Sequence, residues 1–288
     1  MPRRFGPSTP DSSLDESSSR REFLRRTVGA AGAVGLASTA GCLGNLRDDV
    51  SPPPSAAAGT AATAETALSA DEFDAFVERQ RDRYGDSGVW GIAGTEPDHD
   101  LRFDGAWTGT VGLGSDGEPR PQPDETGDLR AVVDAAVAAY TAPEGDGSGE
   151  ERYQLWLWAA GRLTGGEGGG ALTRTSALRR LEVGVTLDGD GAEMGPYTPG
   201  SDLTEGPASI GPSAMGIGGP STSFPIHSGT VRVAPERTSF DENAVAVQWR
   251  GDTDRTQSVN GTCAASWAAD SGPSFDLSTR VAADRRRF

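Results

Sequence analysis

The chain contains no lysine: all 26 of its basic residues are arginine. A P-loop phosphate lysine, a Schiff-base lysine and a Ser-Lys hydrolytic pair all need that amine, so those reaction classes are excluded. Cysteine and histidine occur only twice each, as Cys42, Cys263, His99 and His227. Cys263 has no histidine or methionine after it, which removes a blue-copper arrangement with His227 and Met215. Zinc sites of the Cys/His type fail for the same shortage of ligands. Positive charge is also scarce, with 42 acidic residues against 26 arginines and a formal net charge of −16. Contact with nucleic acid phosphates needs a basic face, so a nucleic acid partner is not expected. The uncharged run Thr27–Ala40 makes a helix of about 21 Å, short of a hydrocarbon core of about 30 Å. A permanent membrane span is therefore not expected there. Hydrophobic residues at 35% with six tryptophans still suffice to build a core.

Ser19-Arg20-Arg21-Glu22-Phe23-Leu24-Arg25 precedes that Ala- and Gly-rich run, and Thr39-Ala40-Gly41-Cys42 follows it. Arg20, Arg21, Phe23 and Leu24 stand at the offsets of a twin-arginine export signal, which the segment resembles, and the residues up to Cys42 look like a lipobox. The resemblance implies passage of a folded chain through the twin-arginine translocase. It also implies lipidation of Cys42 as the first mature residue and anchoring to the outer face of the cell membrane. On that reading Cys42 cannot form a disulfide, and Cys263, set among small and apolar residues, is expected to be a buried inert thiol.

Residues 1–41 carry six arginines and four acids, so the mature chain holds 20 basic and 38 acidic groups, a net −18. Together with abundant Ala and Gly, this resembles exported lipoproteins of extreme halophiles. Self-repulsion is tolerable in such surroundings because the Debye length falls to about 3 Å at 1 M salt. A GC-rich genome explains arginine in place of lysine but not the excess of carboxylates.

The sequence divides into a signal over 1–41, a disordered tether rich in Pro, Ala and Thr over 42–69, and an acidic α+β domain over 70–288. Ser69 and Glu72 have the spacing of a capping box, and Phe73, Phe76, Val77 and Tyr84 recur at helical intervals. A second amphipathic helix is expected from Asp128, where Leu129, Val132, Val133, Ala136, Val137 and Tyr140 follow the helical pattern without a break. Period-two alternation over 153–158 and 181–187 marks antiparallel strands. Further strands are expected at Val89–Ala93, Leu101–Gly112, Thr230–Val233, Ala244–Arg250, Ser258–Trp267 and Phe275–Val281, with Gly206–Pro225 a glycine- and proline-rich loop. The expected architecture is an antiparallel sheet or sandwich covered by two amphipathic helices.

Candidate chemistry is sparse. Asp98-His99-Asp100 pairs imidazole with carboxylates, as a general base or metal-assisted hydrolase requires, although three adjacent residues cannot all face one substrate. Ser209 and Ser213 lack the spacing of a nucleophile elbow. Asp188–Gly191, Asp146–Glu151 and Asp252–Asp254 hold oxygen ligands without a full calcium-loop pattern. Trp156 and Trp158 share one strand face, either as core or as a platform for stacking sugars. Asn260-Gly261-Thr262 is a glycosylation sequon inside an expected strand. Arg285–Arg287 reads as a solvated tail.

No catalytic residue, metal site or cofactor is assigned. The leading expectation is a membrane-anchored, non-enzymatic binding or structural domain adapted to high salt. The alternatives are an extracellular hydrolase or metal-dependent enzyme centred on Asp98, His99 and Asp100, and a carbohydrate-binding module using Trp156 and Trp158.

Overall fold

Two antiparallel sheets face each other across a core of aliphatic and aromatic side chains. The computed structural model describes residues 52–85, 101–120, 128–141, 150–164, 176–204, 206–210, 222–268 and 271–285. The first sheet, sheet A, has the order β1-β13-β6-β11-β10, with β1 Ser55–Thr63, β6 Ser176–Leu187, β10 Gly229–Val233, β11 Ala244–Thr253 and β13 Ser274–Arg285. Sheet B has the order β3-β2-β4-β5-β12-β7, with β2 Arg102–Gly114, β3 Pro119–Arg120, β4 Leu129–Thr141, β5 Glu150–Leu163, β7 Glu193–Thr198 and β12 Gln257–Ala268. Two short strands, β8 Gly206–Ile210 and β9 Thr222–Ile226, form a separate hairpin. Phe224 and Ile226 of β9 belong to the core between the sheets.

Three sequence expectations are corrected here. The run from Asp128 is not a helix but strand β4. Its inward residues Ala131, Val133, Ala135, Val137 and Ala139 join the core between the sheets, while Ala136, Ala138 and Tyr140 on its other face join a second apolar cluster. A strand buried on both faces reads as continuous apolar sequence, and such a run satisfies the helical period by accident. The fold is therefore predominantly β, with one α-helix among the described residues rather than two covering a sheet. Residues 55–63, placed in the tether by composition, form strand β1 in unbroken antiparallel register with β13. The ends of the stretch 206–225 are likewise strands rather than loop. Val89–Ala93 lies outside the described residues.

The helix α1, Ala70–Tyr84, starts as its sequence dictates: the N–H and hydroxyl of Ser69 both donate to Glu72 Oε2, at 2.9 and 2.7 Å. Those bonds hold the Glu72 carboxyl below the usual carboxylate range. Gly85, at φ +72°, ends the helix in the left-handed region. Phe73, Phe76, Val77 and Tyr84 bury one face of α1 against the outer face of sheet B. Phe76 and Tyr84 both meet Trp158 edge to face, at centroid separations of 6.1 and 6.3 Å. Between the sheets, Trp107 of β2 meets Phe275 of β13 edge to face at 4.8 Å and donates from Nε1 to the Thr63 carbonyl at 2.8 Å. The contact locks β1 and β13 onto sheet B.

Candidate functional site on the outer face of sheet A

Alternation along the strands of sheet A sends Leu181, Val231, Val247, Trp249 and Val281 inward. Their neighbours Glu182, Arg232, Gln248 and Arg280 must then face outward. The register places these four side by side: Arg280 pairs with Glu182, Glu182 with Gln248, and Gln248 with Arg232. Three inter-strand steps separate the two end arginines, about 14 Å of backbone. Arg180 and Arg250 pair with each other one row away, and Arg237 reaches in from the turn after β10.

Five arginines thus surround two carboxylates in a chain where acids outnumber bases. Arg180 bridges Glu182 and Glu236, the latter at 2.9 Å; Arg250 also binds Glu236, at 2.8 Å; Arg237 Nε lies 3.3 Å from Glu182 Oε1. Glu182 is almost wholly buried, whereas Glu236 is exposed. The side-chain oxygen of buried Gln248 accepts from Arg250 Nε at 2.7 Å, and its amide nitrogen has no hydrogen-bond partner. Arg232 and Arg280 make no ion pair within 4 Å among the described residues. Burial lowers the Arg280 pKa first, with Arg180 and Arg237 adding to the effect against Glu182 and Glu236. Glu236 is held below the carboxylate range by a backbone hydrogen bond and then by Arg180 and Arg250. Arg179, on the same strand as Arg180 and Glu182, pairs with Asp252 and Asp284. Arginine presents planar forks that match carboxylate, sulfate and phosphate oxygens. Such a surface can hold an anion.

Other sequence candidates fall elsewhere. Trp156 and Trp158 lie on the outer face of sheet B and are 2% and 0% exposed. Trp158 is covered by α1, and neither indole can serve as a stacking platform in the folded chain. Asn260 is fully buried in the middle of β12, where Oδ1 accepts from Trp156 Nε1 at 3.3 Å. The nitrogen that would carry a glycan is enclosed, so Asn260 is not a glycosylation site on the folded surface. Gly261 beside it has no room for a side chain, since a methyl there would strike Val247 and come within 2.9 Å of the Thr198 carbonyl oxygen. Cys263 is a buried free thiol whose pKa burial pushes up to about 12. His227 is shifted below its ordinary value by burial and then by Arg255, while its backbone N–H donates to Gln257. Asp252 is committed to Arg179, and the Asp188 carbonyl accepts from Trp267 Nε1. Arg20, Arg21, Phe23, Leu24, Cys42, Asp98, His99, Asp100, Ser213 and Met215 lie outside the described residues.

The arginine row was missed in the sequence because it is assembled from four strands. A usable signal existed: each of Arg180, Arg232, Arg250 and Arg280 sits next to an inward apolar residue in an alternating stretch.

No family model matches the chain, and no curated protein matches it. Among solved structures, a chain titled "Pore forming protein" is similar at a TM-score of 0.33 and 9% identity, over 64% of this chain and 87% of that one. A superposition that loose does not establish a shared fold.

Proposed function

We propose that this is an exported, non-enzymatic binding protein, anchored at Cys42 to the outer face of the cell membrane after passage through the twin-arginine translocase. Its β-sandwich presents the arginine row of sheet A to an anionic partner. The observation that carries this reading is the local inversion of charge: Arg180, Arg232, Arg237, Arg250 and Arg280 against Glu182 and Glu236, in a chain of net −16. Arg232 and Arg280, at the two ends of the row, are the side chains left for a ligand. High salt confines the repulsion between an anionic ligand and the rest of the surface to a few ångströms, so only groups in contact are felt.

Titration of the full chain with dextran sulfate and with neutral dextran, in molar salt, tests the reading. Binding to the sulfated polymer alone is expected, with the double variant Arg232→Ala, Arg280→Ala weakening it at least about tenfold, one charge-assisted contact's worth. Equal behaviour toward both polymers, or sulfate binding unmoved by the double variant, rules out the row as the recognition surface.

A further inference from the structure

A sheet edge invites another strand unless something blocks it, and three of the four edges of this sandwich carry a block. Strand β3 is two residues long and contains Pro119. Strand β7 contains Pro196, and its register against β12 is broken. The middle of β10 is covered by Leu203, whose N–H and C=O both bond to Val231 at 2.8 Å. Among the described residues, strand β1 has no such device. Its sequence, SAAAGTAAT, holds no charge and no proline, and all nine of its residues pair with β13 without a bulge.

The direction of its backbone groups follows from three bonds. The Pro54 carbonyl accepts from Ala283 of β13, while the Thr63 carbonyl accepts from Trp107 and the Thr63 N–H donates to Thr66. Even-numbered residues therefore face β13 and odd-numbered ones face away, as antiparallel alternation requires. Ala57, Gly59 and Ala61 are exposed and point their N–H and C=O groups outward. Among the described residues they have no backbone partner outside the ladder.

We infer that β1 pairs with β1 of a second copy of this chain, antiparallel and two-fold symmetric about Gly59. In that register Gly59 meets Gly59 of the partner subunit, and Ala57 meets Ala61 of the partner subunit in both directions. Every outward group of the three residues is then satisfied, and the pairing ends where Thr63 is already bonded. A second copy offers the same small, uncharged side chains and the same outward groups, so a two-fold axis through Gly59 sets each outward residue of one copy against one of the other. Two five-stranded sheets become one continuous sheet across the two-fold axis. The pairing does not depend on the anchor, although anchoring at Cys42, if the preceding reading holds, would raise the local concentration of the two copies.

The test uses the full chain carrying Cys42→Ser, so the result is independent of lipidation, in about 1 M salt to screen repulsion between copies. Sedimentation equilibrium over a concentration series is expected to approach twice the chain mass. Gly59→Pro removes the central outward donor without touching the β13 ladder, and Ala57→Glu places a charge on the edge; each is expected to return the mass to one chain with the far-ultraviolet circular dichroism unchanged. Gly59→Cys is expected to form a covalent dimer on oxidation, because directly paired residues in such a ladder lie about 5.5 Å apart at Cα. A single-chain mass throughout with no cross-link at Gly59, or a dimer that survives both edge variants, overturns the inference. Should Gly59→Pro lose its strand signal, Ala57→Glu decides alone.

Discussion

Tyr84 donates a 2.6 Å hydrogen bond from its hydroxyl to Asp134 Oδ2, tying the last turn of α1 to the centre of strand β4. The same carboxylate accepts from Arg83 at 2.8 Å and from Thr110 Oγ1 at 2.5 Å, and Asp134 is only 1% exposed. A buried charge is tolerable when it is paired and hydrogen-bonded, as Asp134 is on both oxygens. The three donors come from the helix and from β2, so one carboxylate fixes the helix across two strands. Tyr84→Phe is expected to cost about 1.5 kcal/mol, one charge-assisted bond. Asp134→Ala, which removes the acceptor of both hydroxyls and the ion-pair partner at 2.8 Å from Arg83, is expected to cost about 3 kcal/mol. Urea unfolding of the two variants checks the ranking; equal and negligible losses would show that the helix is held by its aromatic face alone.

Stability should fall at alkaline pH. Tyr84, Tyr140 and Tyr153 are all raised above the ordinary tyrosine value, burial being the first cause in each. Asp134 adds to the shift of Tyr84, Asp74 to that of Tyr140, and Glu151 to that of Tyr153. In the unfolded chain these phenols ionise near pH 10, while the folded chain keeps their protons. The native state then binds more protons than the unfolded state, so stability is full below about pH 10 and drains away as pH rises through the folded values. Denaturant midpoints measured from pH 8 to pH 12, beside phenolate absorbance, are expected to fall together only above about pH 10.

The arginine row needs Glu182. Its carboxylate is nearly inaccessible and lies against Arg180 and Arg237. Glu182→Gln leaves those guanidinium groups facing each other across β6 with Glu236 as the remaining anion among them. The expected loss is about 2 kcal/mol in dilute buffer. Salt shortens the reach of the arginine repulsion, so the deficit relative to the parent chain is expected to shrink in molar salt. A loss that is independent of salt would mean that packing, not charge, sets the cost.

The sequence discloses this fold where one physical signal acts alone. Ser69 and Glu72 mark the start of α1 because capping is local, and β5 and β6 are legible because residues of different type alternate along them, although β5 is buried on both faces. Strand β4 hides because sheet A covers one of its faces and α1 the other, so its apolar residues carry no period. Strand β1 hides because Ala, Gly and Thr belong equally to tethers and to strands; only the β13 partner decides. The face shared by Trp156 and Trp158 is legible from spacing, but the helix residues that cover Trp158, Phe76 and Tyr84, stand far from it in the chain. Arg232 and Arg280 come together only through the register of β13, β6, β11 and β10, which no local window contains.

Anchoring has its own expected outcome. If Cys42 carries lipid, Cys42→Ser leaves the chain without an anchor, and the protein is expected to move from the cell envelope to the medium while keeping its fold. Replacing Arg20 and Arg21 by Lys acts earlier, since the resemblance to a twin-arginine signal places both side chains in recognition by the translocase; the full-length chain is then expected inside the cell. Fractionation followed by intact-mass measurement separates the two effects. A Cys42→Ser chain still bound to the envelope would mean that something other than this thiol retains it.

The thiol of Cys263 supplies the last test, because it reports on the core directly. It is wholly enclosed between the sheets, and burial pushes its pKa up to about 12, so almost no thiolate exists at neutral pH. Ellman's reagent is expected to leave Cys263 untouched in the native chain and to modify it only when the sheets separate, following the same midpoint as tryptophan fluorescence during unfolding. Gly261→Ala, two residues away on the same inward face, forces a methyl against Val247 and the Thr198 carbonyl. Overpacking of this kind costs about 1–3 kcal/mol, and the variant is therefore expected to expose Cys263 at lower denaturant. Rapid reaction in the native parent chain would show that the two sheets do not close over Cys263.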